Sequence, residues 1–454
     1  MHITRPLRVL NNFQHLQDFS GTDGFRTLDE FENYVYGIDK FRKFSVQGFR
    51  PPADPLAVEG DETDVNLRVA TFLSATALLV VGSAPANAAC PRTDSAPGPT
   101  VANSSAGKTR SLPLQRAAGH RLRIGSAAAG GGHHLEQDYP DPFTHDTQYR
   151  SVLGSEFGSV SPENQMKWDF IRPERDTYNF APADAIVRFA RAHGQVVRGH
   201  TLLWHSQNPA WLENGDFTPE QLRQILREHI LAVVGRYRGS IQQWDVANEI
   251  LTDSGELRTQ DNIWLRELGP GIIADAFRWA HRADPHAQLF LNDYGVESIN
   301  AKSDAYLDLV ERLRAQKVPV HGFSAQSHLS LRYGFPDDLA QNLARFDALG
   351  LRTAITELDV RMDLAADGRP TAEQLAKQAD YYTRALRGCL AVRGCTSFTL
   401  WGFTDKYSWV PVFFSGQGAA TIMWDDFGHK PAYDALRSAL LRDRSPARSA
   451  GASD

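Results

Sequence analysis

The chain has 454 residues, 42% of them hydrophobic and 22% charged, a makeup that excludes collagen-like and wholly disordered proteins and leaves ample material for a core. Its 48 Lys and Arg against 54 Asp and Glu give a formal charge of -6, so no general basic field draws nucleic acid or anionic membrane. Three cysteines are too few for a disulfide scaffold.

Residues 1–64 mix aromatic, charged and Pro-rich stretches without a sustained period and receive no assignment. Asn66-Leu67-Arg68 then precedes an apolar run over 69–81 and small residues ending Ala86-Asn87-Ala88, so 65–88 has the layout of a secretory signal. The run is too short to span a membrane. A signal should open a chain, which suggests a true translation start near Val65, with 1–64 a start-site error. The expected location is therefore extracellular. Residues 89–112, rich in Ala, Pro, Ser, Thr and Gly, read as a flexible linker, 113–441 as one globular domain, and 442–454 as a disordered tail.

Within 113–441, short β-branched or apolar runs recur at 121–127, 158–163, 196–204, 241–249, 288–294, 322–329, 352–360 and 397–405. Amphipathic helices fill the gaps. The clearest begins at Thr218-Pro219-Glu220-Gln221, a capping box with Pro at the first helical position, and places Leu222, Ile225, Leu226, His229 and Val233 on one face. Strand-helix alternation implies a parallel sheet, and eight such units predict an α/β fold, a single (β/α)8 barrel. No GxGxxG or P-loop pattern follows any strand.

Such barrels carry their active sites at the C-terminal ends of the strands. Here the predicted strands end, in order, in Glu163-Asn164-Gln165-Met166-Lys167-Trp168, in His200 and Trp204-His205-Ser206-Gln207, in Trp244-Asp245-Val246-Ala247-Asn248-Glu249, in Asn292-Asp293-Tyr294, in Gln326-Ser327-His328, in Thr356-Glu357-Leu358-Asp359, and in Trp401 with Trp409 beyond. Any one of these alone is as well explained by a solvated loop or a core histidine; seven together mark a site. Glu357 and Asp359 are two apart on a strand and face the same way, a costly arrangement for buried carboxylates without partners. With Glu249 across the mouth, they supply what glycoside hydrolysis needs: one acid to protonate the leaving oxygen and one carboxylate to attack or to activate water. Trp204, Trp401 and Trp409 offer flat faces of the kind sugar rings stack on. His200 and His205 are five apart with no H-E-x-x-H, so no metal is expected, and no G-x-S-x-G elbow is present.

The stretch from about 119 to 438 resembles glycoside hydrolase family 10, the endo-1,4-β-xylanases. The resemblance is carried by Ser161-Pro162-Glu163-Asn164-Gln165-Met166-Lys167-Trp168, by Arg198-Gly199-His200-Thr201-Leu202-Leu203-Trp204-His205-Ser206-Gln207, by Trp244 to Glu249, by Ile355-Thr356-Glu357-Leu358-Asp359, and by Trp401-Gly402-Phe403-Thr404-Asp405 through Trp409. It implies that Glu249 is the general acid/base and Glu357 the nucleophile of a retaining mechanism. It implies too that Asn248 holds the sugar 2-hydroxyl, that His200, Gln326 and His328 contact the reacting sugar or the nucleophile, and that Asp359 orients His328. Glu163, Asn164 and Lys167 would grip the next sugar on the non-reducing side, and Trp409 would lie against the reacting sugar with Trp401 beside it. Gly295 stands where the family usually has Asn after the Tyr. The Gly130-Gly131-Gly132-His133-His134 segment reads as a flexible rim loop, with a weak metal site as the alternative.

The expected partner is the polysaccharide xylan, with no cofactor, no nucleic acid, no membrane after processing and a monomeric chain. Two rival readings are a β-1,4-glucanase of the same mechanism and a non-catalytic glycan-binding barrel, the latter disfavoured because both carboxyl groups are kept. Export makes a disulfide between Cys389 and Cys395 expected, six apart around Gly394, where it would stiffen the chain beside Trp401. Cys90 is then left unpaired.

Overall fold

The computed structural model describes residues 112–130 and 141–444. The expected signal, linker, Cys90 and the His133-His134 pair lie outside the described residues, as does the tail beyond Arg444.

The strands are β1 (Arg123–Ala128), β2 (Ser159–Pro162), β3 (Val196–Gly199), β4 (Ile241–Asn248), β5 (Gln288–Asp293), β6 (Gly322–Ala325), β7 (His328–Ser330), β8 (Arg352–Asp363), β9 (Cys395–Leu400) and β10 (Gln417–Gly418). Parallel pairing runs β1-β2-β3-β4-β5-β6-β8-β9, and β9 returns to β1 through Ile124↔Phe398, which closes an eight-stranded barrel. β7 and β10 are short additions along the far half of β8. Eight longer helices follow the staves: α1 (Thr147–Glu156), α2 (Ala181–Ala192), α3 (Pro219–Arg236), α4 (Gly271–Ala283), α5 (Ala301–Ala315), α6 (Leu339–Ala348), α7 (Ala372–Ala391) and α8 (Pro431–Arg444). The predicted (β/α)8 barrel is the observed fold. The capping box at Thr218 is formed, Leu222, Ile225, Leu226, His229 and Val233 are all buried, and α7 starts with the same device at Thr371 and Gln374. α8 continues to Arg444, into the segment expected to be tail. No described helix is long and apolar enough to cross a membrane.

Strand limits differ most from expectation at three places. The third strand stops at Gly199, so His200 and Trp204 stand on the loop beyond it; that loop still leans on β4, since the Leu202 and Leu203 N–H groups donate to the carbonyls of Asp245 and Val246, each at 3.0 Å. Gly199 is required there, because a Cβ would come within 2.3 Å of the Trp244 ring. The sixth stretch is not one strand: β6 and β7 are separated at Gln326-Ser327, where Ser327 takes φ 66° and its N–H is caught by Glu297 Oε1 at 2.7 Å. The last stave starts earlier, at Cys395, and ends at Leu400.

Alternation along β4 divides the interior. Trp244 and Val246 join the apolar core, while Gln243 and Asp245 meet Arg198. Arg198 pairs with both oxygens of Asp245 and reaches Ser324 Oγ at 2.9 Å, so a buried ion pair with its charges answered lies below the mouth of the barrel. Cys389 and Cys395 form the expected disulfide, with Cα atoms 5.3 Å apart. It joins α7 to the first residue of β9, whereas Trp401 follows the last. At about 3.3 Å per residue the two are roughly 20 Å apart, so the bridge does not stiffen the chain beside Trp401.

Candidate active site

β4 delivers Asn248 and then Glu249, whose backbone turns into the left-handed region at φ 52°. Trp204 Nε1 donates to Glu249 Oε2 at 2.8 Å, Gln326 Nε2 to Oε1 at 3.0 Å and Asn248 Nδ2 to Oε1 at 3.2 Å, while His205 Nδ1 stands 3.7 Å from Oε2. Opposite, β8 delivers Glu357 and Asp359, which share a face as their spacing requires. Both meet His328: Nδ1 lies 2.9 Å from Asp359 Oδ2 and Nε2 lies 3.3 Å from Glu357 Oε2. Burial alone would make His328 a weaker base, but Asp359 and Glu357 outweigh it and push its pKa up to about 10. At neutral pH the ring is a cation donating from both nitrogens, and Asp359 orients it.

The other predicted residues fall in the same cleft. His200 Nδ1 is 3.1 Å from Asp245 Oδ2 and 3.9 Å from Glu357 Oε1. Lys167 Nζ donates to Asn164 Oδ1 at 2.9 Å and lies over the Trp204 ring, 4.9 Å from its centroid. Glu163 is buried; burial, reinforced by Asp359 and Glu357 and opposed by Lys167, raises its carboxyl to about 7. Burial likewise lowers the Lys167 ammonium. Trp409 donates from Nε1 to Asp359 Oδ2 at 2.8 Å and sets its ring 4.9 Å from that of His328, and Trp401 meets the edges of His200 and His328.

Asn292, at the end of the fifth strand, carries a role that the sequence does not reveal. It is fully buried, and its Nδ2 donates to Glu357 Oε1 at 2.6 Å and to Asn248 Oδ1 at 2.8 Å, while its Oδ1 accepts from Ser324 and Thr356. Through Asn292 and Asn248 the two carboxylates belong to one hydrogen-bonded chain. Gln207 is a second such residue, reaching Lys167 Nζ at 2.6 Å and Asn164 Oδ1 at 3.1 Å.

Electrostatics sets the state of Glu249. Burial would raise Glu249, yet the His205 charge and the Gln326 and Trp204 hydrogen bonds hold it down at about 2. That places it in the acceptor state. The His205 charge is the strongest of these pulls and Arg258 adds a weaker one, so the hold on the carboxylate loosens when the imidazole is neutral. Glu357 faces the His328 ring at Oε2 and the Asn292 amide N–H at Oε1. Among the described residues no cluster of three or more His, Cys, Asp or Glu could hold a metal ion.

Residues 123–439 match Glycosyl hydrolase family 10 over most of the chain. The chain belongs to this family. It is 43% identical over 293 residues to endo-1,4-beta-xylanase B of Thermotoga neapolitana, covering 64% of this chain and 83% of that one. Endo-1,4-beta-xylanase A of Humicola insolens is 39% identical over 309 residues, or 67% and 79% of the two chains. Among solved structures, native xylanase 10B from Thermotoga maritima superposes with a TM-score of 0.68 at 40% identity, covering 73% of this chain and 98% of that one. Xylanase 10B from Thermotoga petrophila RKU-1, in complex with xylobiose, gives 0.68 at 39% identity over 74% and 99%.

Proposed function

We propose that the chain is an exported endo-1,4-β-xylanase that cleaves internal β-1,4 bonds of xylan with retention of anomeric configuration. The observation that carries this reading is the pairing of Glu249 with Glu357 across the mouth of a family 10 barrel, each carboxyl held by its own set of donors. Glu357, bonded by His328 and aimed by Asn292, attacks the anomeric carbon, and Glu249 gives a proton to the departing oxygen. A glycosyl ester on Glu357 results. Water, deprotonated by Glu249, then releases the sugar and restores both groups. Asn248 holds the 2-hydroxyl of the reacting sugar; Glu163, Asn164 and Lys167 bind the next ring. The xylanase names of the relatives support xylan as the polymer. Export rests on the 65–88 pattern, with the Cys389–Cys395 disulfide in keeping with an oxidising compartment.

The test is product size and anomeric form, followed by NMR on xylan and on soluble cellulose. Short xylo-oligosaccharides appearing first as β-anomers are expected; α-anomers at early times would refute retention and the nucleophile role of Glu357. A retaining pair also requires a carboxyl separation of about 5 to 5.5 Å. N-terminal sequencing of protein from the culture fluid should give a mature end near Ala89, and an intact Met1 would refute the export reading.

A further inference from the structure

Glu249 is a non-glycine residue in left-handed backbone at the point where β4 meets its loop. L-residues avoid this region because Cβ crowds the backbone, so surrounding groups must hold it there. Three backbone groups around Glu249 are engaged. Its N–H donates to Asn292 O at 3.0 Å, its carbonyl accepts from Arg258 Nε at 3.1 Å, and the next N–H, that of Ile250, donates to the Tyr306 hydroxyl at 3.3 Å.

These two side chains are themselves tied together behind the site. Tyr306 Oη donates to Asp293 Oδ2 at 2.6 Å, and Asp293 Oδ1 pairs with Lys302 Nζ at 2.9 Å. Lys302 lies over the Tyr294 ring, 3.7 Å from its centroid, and the Tyr294 hydroxyl accepts from Arg258 Nη2 at 2.9 Å. The ring of interactions closes on Glu249. Tyr306, Asp293 and Lys302 are buried, and Tyr306 sits on α5, on the helical side of the barrel wall. A buried ion pair is a poor source of stability compared with apolar packing. Its position, one residue on from Asn292 and bonded through Tyr306 to the peptide that follows Glu249, is instead suited to fixing direction.

We propose that Tyr306 and Arg258 are positioning residues that clamp the left-handed turn at Glu249 and so aim its carboxyl at the leaving oxygen. The proposal rests on Glu249 being the general acid. The clamp works on one atom pair of the reaction, the proton and the oxygen that receives it, and leaves the approach of Glu357 to the anomeric carbon untouched. Its loss therefore burdens substrates in proportion to their need for protonation.

The test compares kcat/KM on xylotetraose, whose leaving group needs a proton, with 2,4-dinitrophenyl β-xylobioside, whose leaving group does not. Tyr306→Phe keeps the ring, which packs 5.3 Å from Phe323, and removes only the hydroxyl. Arg258→Met keeps the stem and removes the donors, and Arg258→Lys should restore part of the effect. On xylotetraose kcat should fall about 10- to 100-fold with KM little changed, as expected for a misaimed catalytic group. On the activated glycoside kcat/KM should fall by less than about threefold. Thermal unfolding of each variant checks that it folds. An equal fall on both substrates, or no fall on either, overturns the clamp. Glu249→Ala is run alongside: if it too loses both substrates equally, the acid assignment falls and the clamp with it, whereas a split in Glu249→Ala without one in Tyr306→Phe and Arg258→Met overturns the clamp alone.

Discussion

Trp409 is the residue on which preference for xylan over cellulose is expected to turn. The indole is fixed at its nitrogen by Asp359 and on its faces and edges by His328, Phe413 and Phe414, with ring centroids 4.9, 5.1 and 5.5 Å away. Pro411 lies in the first turn of the short helix Val410–Phe413 that follows, so the segment has little freedom to swing aside. Xylose lacks the hydroxymethyl group of glucose, and a rigid ring in that space penalises glucose by about 1 to 3 kcal/mol, a factor of about 5 to 150. The N–H to the Asp359 carboxylate contributes a separate amount, about 1.5 to 3 kcal/mol for a hydrogen bond to a charged acceptor. Two substitutions separate these. Trp409→Phe removes the hydrogen bond but keeps most of the ring, so turnover should fall on both substrates with the xyloside-to-glucoside ratio largely kept. Trp409→Ala removes both, and the ratio of kcat/KM for xylotetraose over cellotetraose should narrow by a factor within the range above. A ratio unchanged in Trp409→Ala would refute the crowding argument and leave Trp409 as a stacking platform.

Glu357→Gln should abolish turnover on every substrate, while Glu249→Ala should spare aryl glycosides with acidic leaving groups; equal loss on these in Glu249→Ala would contradict the division of roles. Removing the bridge in Cys389→Ser/Cys395→Ser, which closes a loop with a sequence separation of 6, should lower stability by about 2 kcal/mol and Tm by about 4 °C. Because the bridge is at the far end of β9 from Trp401, kcat should be unchanged, and a drop in kcat at constant Tm would count against that placement. His229 is buried against Trp168, with ring centroids 3.5 Å apart, and neither of its nitrogens finds a hydrogen-bond partner among the described residues. Burial, with Arg172 adding to it, holds its pKa well below the ordinary value of 6.5. The unfolded chain therefore takes up a proton there that the folded chain refuses, and stability should fall as pH drops below about 6.5, by up to about 1.4 kcal/mol per pH unit. His229→Phe should flatten that slope in denaturant titrations at pH 4 to 7; an unaltered slope would clear His229.

The barrel and most of the cleft were legible because the signals are local. Each stave is a short apolar run, and the chemistry sits at its end, so Glu163, Glu249 and Glu357 could be assigned to one rim from chain order and the placement rule for such barrels. What stayed hidden depends on partners distant in sequence. Asn292 looks like any strand-end amide until Ser324 and Thr356 are seen fixing its oxygen. Tyr306 has the spacing of an ordinary core aromatic on α5, and only its hydroxyl reveals a second task. The break at Ser327 has no local signal, because Phe323, Ala325 and Leu329 keep a two-residue period across it; the turn is held by Glu297, thirty residues earlier, accepting the Ser327 N–H. The Cys389–Cys395 pair forms as expected, but not beside Trp401, because the whole extended length of β9 lies between Cys395 and Trp401.

The cleft gathers Glu163, Glu249, Glu357 and Asp359 with little access to water, an arrangement that repulsion and desolvation oppose. Nearby cations offset that cost: Lys167 for Glu163, His328 for Glu357 and Asp359, His205 and Arg258 for Glu249, and below them Arg198 for Asp245. Each cation is held by a different element, so the closed ring of strands is what sets their spacing. The same dependence decides which substitutions are informative. Deleting one cation leaves a buried anion unpaired, at about 3 to 5 kcal/mol, and confuses lost folding with lost chemistry, which is why Arg258→Met is read beside the charge-keeping Arg258→Lys and against thermal unfolding. Replacing a carboxylate by its amide, or a tyrosine by phenylalanine, keeps the shape and removes a charge or a single hydrogen bond. Kinetic effects that survive such isosteric changes, with Tm close to that of the parent, can be assigned to proton transfer and nucleophilic attack rather than to collapse of the network.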